Sequence, residues 1–302
     1  MGSHDWSRWA AGLTGVLILA GCSTPEEGAV ADVVPQEIAE VGTLLAVTDP
    51  TFPPAQFRSP IEFQGVQRGD VTGFEVDLLE AAAEELGLEV EWVDAPFEDV
   101  LEQVSSGQAN LGAAAIGVTD ERLADYTFVT FFQAGTQWAV QEPNSAGISP
   151  NAACGKRVAV QRGTTQADDL AERSADCEDS GQDPIQVLEY ERQDQATAAV
   201  LSGLASAFLA DTPAVQWAIR QSGGSPSATG STDVGRLIKV GKEYSVLTYG
   251  WAVDPEDEEL AEALLTGLQA VVDSGEYEEI LEFWGVQDGA IPAEDIKVVG
   301  GG

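Results

Sequence analysis

From Leu44 onward, short apolar strand-like runs alternate with helix-spaced ones, and this alternation restricts the chain to an α/β fold. Leu44, Leu45, Ala46 and Val47 have the pattern of a buried strand that enters the proline-rich loop Asp49-Pro50-Thr51-Phe52-Pro53-Pro54. Leu78, Leu79, Ala82, Ala83 and Leu86 then recur at helical spacing and stop at Gly87, a good C-cap. Leu88, Val90 and Trp92 alternate with Glu89 and Glu91, as in a half-buried strand. A helix over 98–106 ended by Gly107, followed by a strand over 110–116, completes a β-α-β order. That order predicts a largely parallel sheet with crossover helices.

After a strand near 137–140 the alternation restarts. It runs through a strand at 157–160, a helix after Thr165, a strand at 185–188, an alanine-rich helix ending near Gly203, a strand at 207–209 and a helix after Pro213. Gly223-Gly224-Ser225 reads as a surface loop. A strand at 249–253, a helix carrying Leu260, Leu264, Leu265 and Leu268, and a short helix over 277–284 close the chain. Two α/β units are thus written one after the other, without an internal repeat of about 20–50 residues.

Ahead of these units, an uncharged apolar stretch of 11 residues (10–20) follows Arg8. Its length suits the apolar region of a signal peptide and is too short to span a bilayer, which takes about 20 residues. Leu19-Ala20-Gly21-Cys22 resembles a bacterial lipobox, in which small residues admit the peptidase and the cysteine thiol takes a diacylglycerol. The resemblance implies that residues 1–22 are a lipoprotein signal with Cys22 as the acylated, palmitate-bearing mature N-terminus. A plain secretory signal that contains a cysteine is the alternative. Residues 23–41, poor in aromatics and carrying Pro25 and Pro35, read as a flexible tether.

Charge narrows the partners. Against 51 Asp and Glu stand 14 Lys and Arg, a formal charge of -37 that repels nucleic acid and anionic lipid. The single histidine, His4, lies in the leader, so Ser-His-Asp, Cys-His and histidine–zinc chemistries are set aside, and no metal or cofactor is expected. Of the three cysteines, assigning Cys22 to lipid leaves Cys154 and Cys177 as an expected disulfide, with a free-thiol or metal role as the alternative. The bridge would close a loop of about 20 residues, worth on the order of 3 kcal/mol.

The stretch Gly73-Phe74-Glu75-Val76-Asp77-Leu78-Leu79-Glu80-Ala81-Ala82-Ala83-Glu84-Glu85-Leu86 closely resembles the signature of the family-3 bacterial extracellular solute-binding proteins, the polar amino-acid binders of ABC importers. Thr48-Asp49-Pro50-Thr51-Phe52, Thr119-Asp120-Glu121-Arg122, Gly163-Thr164-Thr165-Gln166, Ala210-Asp211-Thr212-Pro213 and the ending Gly275-Glu276-Tyr277-Glu278-Glu279-Ile280-Leu281 fall in the family's order. The resemblance spans 42–286. It implies a two-lobe periplasmic-binding fold of type II with a discontinuous first lobe: residues 42–136 and 247–290 in lobe 1, 137–246 in lobe 2, and 291–302 as a C-terminal tail. It further implies a monomer that is not an enzyme, lipid-anchored at the extracytoplasmic face of the cell membrane. Its partners would be a free amino acid and a membrane permease with a cytoplasmic ATPase.

A free amino acid is a zwitterion, so a partly dry cleft must offer it a cation and an anion. The resemblance assigns Arg122 to the ligand carboxylate, which a planar guanidinium meets bidentately, and Asp211 to the ammonium. Without it, Arg122 reads as a surface arginine pairing with Asp125 or Glu121, and Asp211 as a helix cap. A helix beginning at Thr119 would add backbone N–H groups. Thr164, Thr165 and Gln166 would meet the carboxylate from the second lobe, and Phe52 and Phe97 would cover the aliphatic part. Asp49 is the candidate specificity residue, pointing to arginine, lysine, histidine or glutamine. Where many members carry serine or threonine, this chain has Ala114, Ala115 and Gly117, which leave only main-chain contacts at Ala115, Gly117 and Thr119 and admit a bulkier or less polar ligand. The rival readings are a cyclohexadienyl dehydratase-like enzyme and a detached amino-acid sensor.

Overall fold

The structure, a computed structural model, describes residues 33–60, 67–223 and 235–301. The expected signal peptide, the lipobox with Cys22, most of the tether and the loop at Gly224-Ser225 lie outside the described residues.

The first part of the chain runs α1 (Gln36–Val41), β1 (Thr43–Thr48), β2 (Thr51–Phe52), β3 (Gln56–Arg58), β4 (Val71–Thr72), α2 (Phe74–Glu85), β5 (Glu89–Asp94), α3 (Phe97–Ser105), β6 (Leu111–Gly112) and α4 (Asp120–Leu123). A long strand, β7 (Thr127–Gln141), leads into β8 (Arg157–Gln161), α5 (Thr165–Asp179), β9 (Gln186–Tyr190), α6 (Gln193–Leu201), β10 (Ala207–Asp211) and α7 (Thr212–Gly223). A second long strand, β11 (Leu237–Val253), returns, followed by α8 (Glu258–Ser274), α9 (Glu276–Trp284) and β12 (Val298–Val299).

The main sheet has the order β5-β1-β6-β11-β7-β10-β8-β9, and β2-β3-β4 form a small separate sheet. The parallel set β5-β1-β6 at one end and the parallel set β10-β8-β9 at the other are the two lobes. Between them, β7 and β11 pair antiparallel along nearly their full length, with register breaks between Val240 and Tyr244 and again before Leu247. Those breaks fall where the pair passes from one lobe to the other. Strands that cross a whole molecule this way explain why only their ends, 137–140 and 249–253, looked strand-like in sequence. Thirteen of the 15 residues of β7 are buried whatever their polarity, so the run shows no alternation.

In α2, the signature helix, Phe74, Val76, Leu78, Leu79, Ala82 and Ala83 are buried. Gly73 precedes it at φ 144°, and a Cβ there would lie 2.1 Å from the Ala55 carbonyl oxygen, so the turn requires glycine. Across the second lobe, Trp138, Val158, Val160, Leu170 and Leu209 form a separate core. Cys154 and Cys177 are bridged, tying the chain ahead of β8 to α5 with a Cα–Cα distance of 5.7 Å.

Three sequence expectations need correction. The expected strand over 110–116 pairs only at Leu111–Gly112, because Ala115 turns to φ 52° and its N–H donates to the Glu75 carboxylate at 2.7 Å. Residues 291–301 are not a loose tail: Ile291 and Ile296 are buried, and β12 pairs with β7 at Val298–Val129. Nor does the tether reach residue 41, since Val34 and Ile38 are buried and α1 leads directly into β1. Among the described residues no helix is long and apolar enough to cross a membrane.

A candidate ligand-binding cleft

The loops at the inner ends of both parallel sets meet over one cavity. Asp49, Phe52, Phe97, Ala115, Gly117, Arg122, Thr164, Thr165, Gln166 and Asp211 all line it, drawn from positions spread over more than half the chain. Thr119 stands apart. Its hydroxyl accepts from the Arg122 N–H at 3.2 Å and caps α4, a single turn of four residues, and it does not reach the cavity wall.

Arg122 is oriented by main chain rather than by a carboxylate. Nη1 donates to Gly117 O at 2.8 Å and Nη2 to Gly163 O at 3.3 Å, while the Phe97 ring sits 5.6 Å below the guanidinium. Among the described residues it makes no ion pair, neither with Asp125 nor with Glu121. A guanidinium has five N–H donors, so several remain for an incoming anion. Desolvation lowers its pKa, and the charges of Asp168 and Asp211 oppose that shift.

Asp211 ends β10 and is held from two sides. Gln166 Nε2 donates to Oδ1 at 2.7 Å and the Tyr249 hydroxyl to Oδ2 at 2.6 Å. Burial pushes its carboxyl up to about 6, despite those bonds and the Arg122 charge. Gln166 also donates to Thr136 Oγ1 at 3.0 Å, and the Thr164 hydroxyl caps α5 by accepting from Ala167 N–H at 3.3 Å. Asp49 is 2% exposed; its Oδ1 accepts from the Thr51 hydroxyl at 2.7 Å and its Oδ2 from Gln161 Nε2 at 2.5 Å. Desolvation raises its pKa.

Contacts that join the lobes directly include Asp49 to Gln161, Arg122 to Gly163 O, and Arg162 Nη1 to Glu98 Oε1 at 2.9 Å. Gly163 has φ 74°, and a Cβ on it would approach Glu98 Cβ to 3.1 Å, so this close meeting of the lobes depends on glycine. Sequence reasoning missed Gln161, Gln193, Leu247 and Tyr249, which also line the cavity. Gln161 left a trace, as a polar residue ending the apolar run of β8. Gln193, Leu247 and Tyr249 left none, because each reaches the cleft only through the way its helix or strand packs in the folded chain.

A two-lobe α/β fold whose cleft sets one cation against carboxylates defines a solute-binding protein of the periplasmic type. The chain belongs to the bacterial extracellular solute-binding proteins, family 3, whose profile matches residues 44–287. It is 35% identical over 259 residues to the arginine-binding protein ArgT of Corynebacterium glutamicum, covering 85% of this chain and 79% of that one. Two solved structures of an ancestral arginine-binding protein, one bound to arginine and one to glutamine, superpose with TM-scores of 0.68 and 0.69. Both are 27% identical, and they match 80% and 81% of this chain and 98% of theirs.

Proposed function

We propose that the chain is the substrate-binding component of an amino-acid ABC importer and that its ligand is an amino acid with a cationic side chain, arginine first. One observation carries the reading. Of the ionisable side chains lining the cavity, Arg122 is a cation and Asp49 and Asp211 are carboxylates, while Tyr249 is kept neutral by burial. An amino-acid zwitterion consumes Arg122 and Asp211, and leaves Asp49 to be neutralised by a positive side chain. Phe52 and Phe97 then flank the aliphatic stem, and Thr164, Thr165 and Gln166 close on the carboxylate with main-chain help from Ala115 and Gly117. The arginine-binding names of the relatives point the same way.

The protein acts by binding and not by catalysis. With Arg122 on lobe 1 (42–136 and 247–290) and Asp211 on lobe 2 (137–246), a ligand gripping both stabilises the closed form, and the hinge equilibrium shifts by that difference in affinity. The closed monomer docks on a permease served by a cytoplasmic ATPase, held at the extracytoplasmic face by lipid on Cys22. Isothermal titration against the twenty amino acids tests the reading. Arginine and lysine should bind tightest, and Arg122→Ala and Asp211→Ala should each abolish measurable binding. A folded sample that binds no amino acid would overturn it.

A further inference from the structure

We propose that Glu75 is a positioning residue for the ligand cleft: its carboxyl clamps the main-chain corner at Ala115 and so sets the stretch of cavity wall that carries Ala114, Ala115 and Gly117. The role rests on the amino-acid-binding reading and deepens it. Glu75 itself lies outside the cavity lining, fully buried in the first turn of α2.

The corner needs a clamp. Ala113 still follows β1, its N–H donating to Val47 O at 2.9 Å. From Ile116 the chain runs beside β11 instead, with Gly250 N–H donating to Ile116 O at 3.0 Å and Val118 N–H to Thr248 O at 2.8 Å. Ala115 joins the two courses at φ 52°, a left-handed conformation that a Cβ disfavours. Its N–H is spent on Glu75 Oε2 at 2.7 Å. Without that acceptor a buried donor would stand unpaired in an already strained corner, and the chain would relax toward right-handed backbone.

Glu75 is tied to the cleft from its other side as well. Its N–H donates to Ala55 O at 3.1 Å, and Ala55 N–H to Phe52 O at 3.1 Å, so one residue connects the turn behind Phe52 with the corner at Ala115. Phe52 and Ala115 both line the cavity, and two residues past the corner the Gly117 carbonyl aims Arg122 by accepting from Nη1 at 2.8 Å. Oε1 of Glu75 is buried without a hydrogen-bond partner among the described residues, and burial pushes the carboxyl up to about 8. Near neutral pH a proton on Oε1 leaves Oε2 free to accept, the arrangement that a glutamine amide reproduces.

Calorimetry with arginine tests the role, with ligand-free melting curves recorded so that every titration is run on folded protein. Glu75→Gln keeps the acceptor and should retain most of the affinity. Glu75→Met, similar in length but without an acceptor, should lose about tenfold, as when only a tenth of the molecules hold the binding-competent corner. Adding Ala115→Gly to the Met variant removes the strain of the corner and should recover part of that loss. Wild-type affinity in a folded Glu75→Met overturns the assignment. So does a glutamine variant that falls as far as the methionine one, or a loss that Ala115→Gly does not relieve, since either would make Glu75 only a packing element of the core. Should Glu75→Met fail to fold, hydrogen exchange on the ligand-free wild type decides: the Ala115 amide should be strongly protected, and fast exchange there overturns the clamp. Absence of binding to any amino acid by the wild type overturns the proposed function, and this role with it.

Discussion

The Tyr249 hydroxyl donates to Asp211 Oδ2 over 2.6 Å and so ties β11 to the last residue of β10 at the point where the two lobes meet. The tyrosine ring is fixed from behind by Phe131 and Phe132, at centroid distances of 6.3 and 5.5 Å. With Gln166 on the other oxygen, the carboxylate has little freedom to turn.

Tyr249→Phe therefore keeps the ring packing and removes one hydrogen bond to a charged acceptor. Arginine affinity should fall about tenfold by calorimetry, the size expected for such a bond. Unchanged affinity would show that Gln166 alone aims Asp211.

Binding should also depend on pH through Asp211. Its carboxyl titrates at about 6 in the ligand-free protein because desolvation raises it above 3.8. A bound ammonium favours the ionised form and lowers that value, so affinity is full above about 6 and weakens as pH falls below it, by up to about tenfold per unit. Titrations at pH 5.0 and 7.5 check this, and a flat profile would place the ammonium elsewhere.

Glu75 predicts a stability effect of its own. Burial raises its carboxyl from 4.5 to about 8, with the Ala115 N–H opposing the shift. Between those values the folded chain holds a proton that the unfolded chain has lost. Its contribution is complete below about 4.5 and declines by about 1.4 kcal/mol per unit as pH rises toward 8. Other buried carboxyls add slopes of their own, so the test is the difference between wild type and Glu75→Gln. In urea unfolding at pH 5, 6.5 and 8, the variant should gain relative to wild type as pH rises. Parallel curves would mean that Glu75 is ionised in the folded state.

Paired Cys154→Ser and Cys177→Ser substitutions should cost about 3 kcal/mol, since the bridge spans a sequence separation of 23 residues. The melting temperature should drop, while arginine affinity at low temperature stays put because the bridge is remote from the cavity lining. An equal fall in affinity would show that α5 needs the bridge to present Thr165 and Gln166.

The sequence by itself determined what local periodicity and fixed motifs can encode. Alternating strand and helix runs gave the α/β class. The glycine-led signature of α2 pointed to the family, and the resemblance assigned Arg122 and Asp211 to the two charges of a zwitterion. Tertiary structure decided everything that depends on chain segments far apart. The full length of β7 was hidden because a strand buried on both sides carries no alternation, and that of β11 because its first part, 238–248, is half-buried or exposed and shows no apolar run. Residues 291–301 join the sheet only because β7 offers an edge to them. Gln161 and Tyr249 became site residues through partners 112 and 38 positions away. Such pairings obey distance in space, to which a reading along the chain has no access, and they set the orientation of the two carboxylates that the motifs had only named.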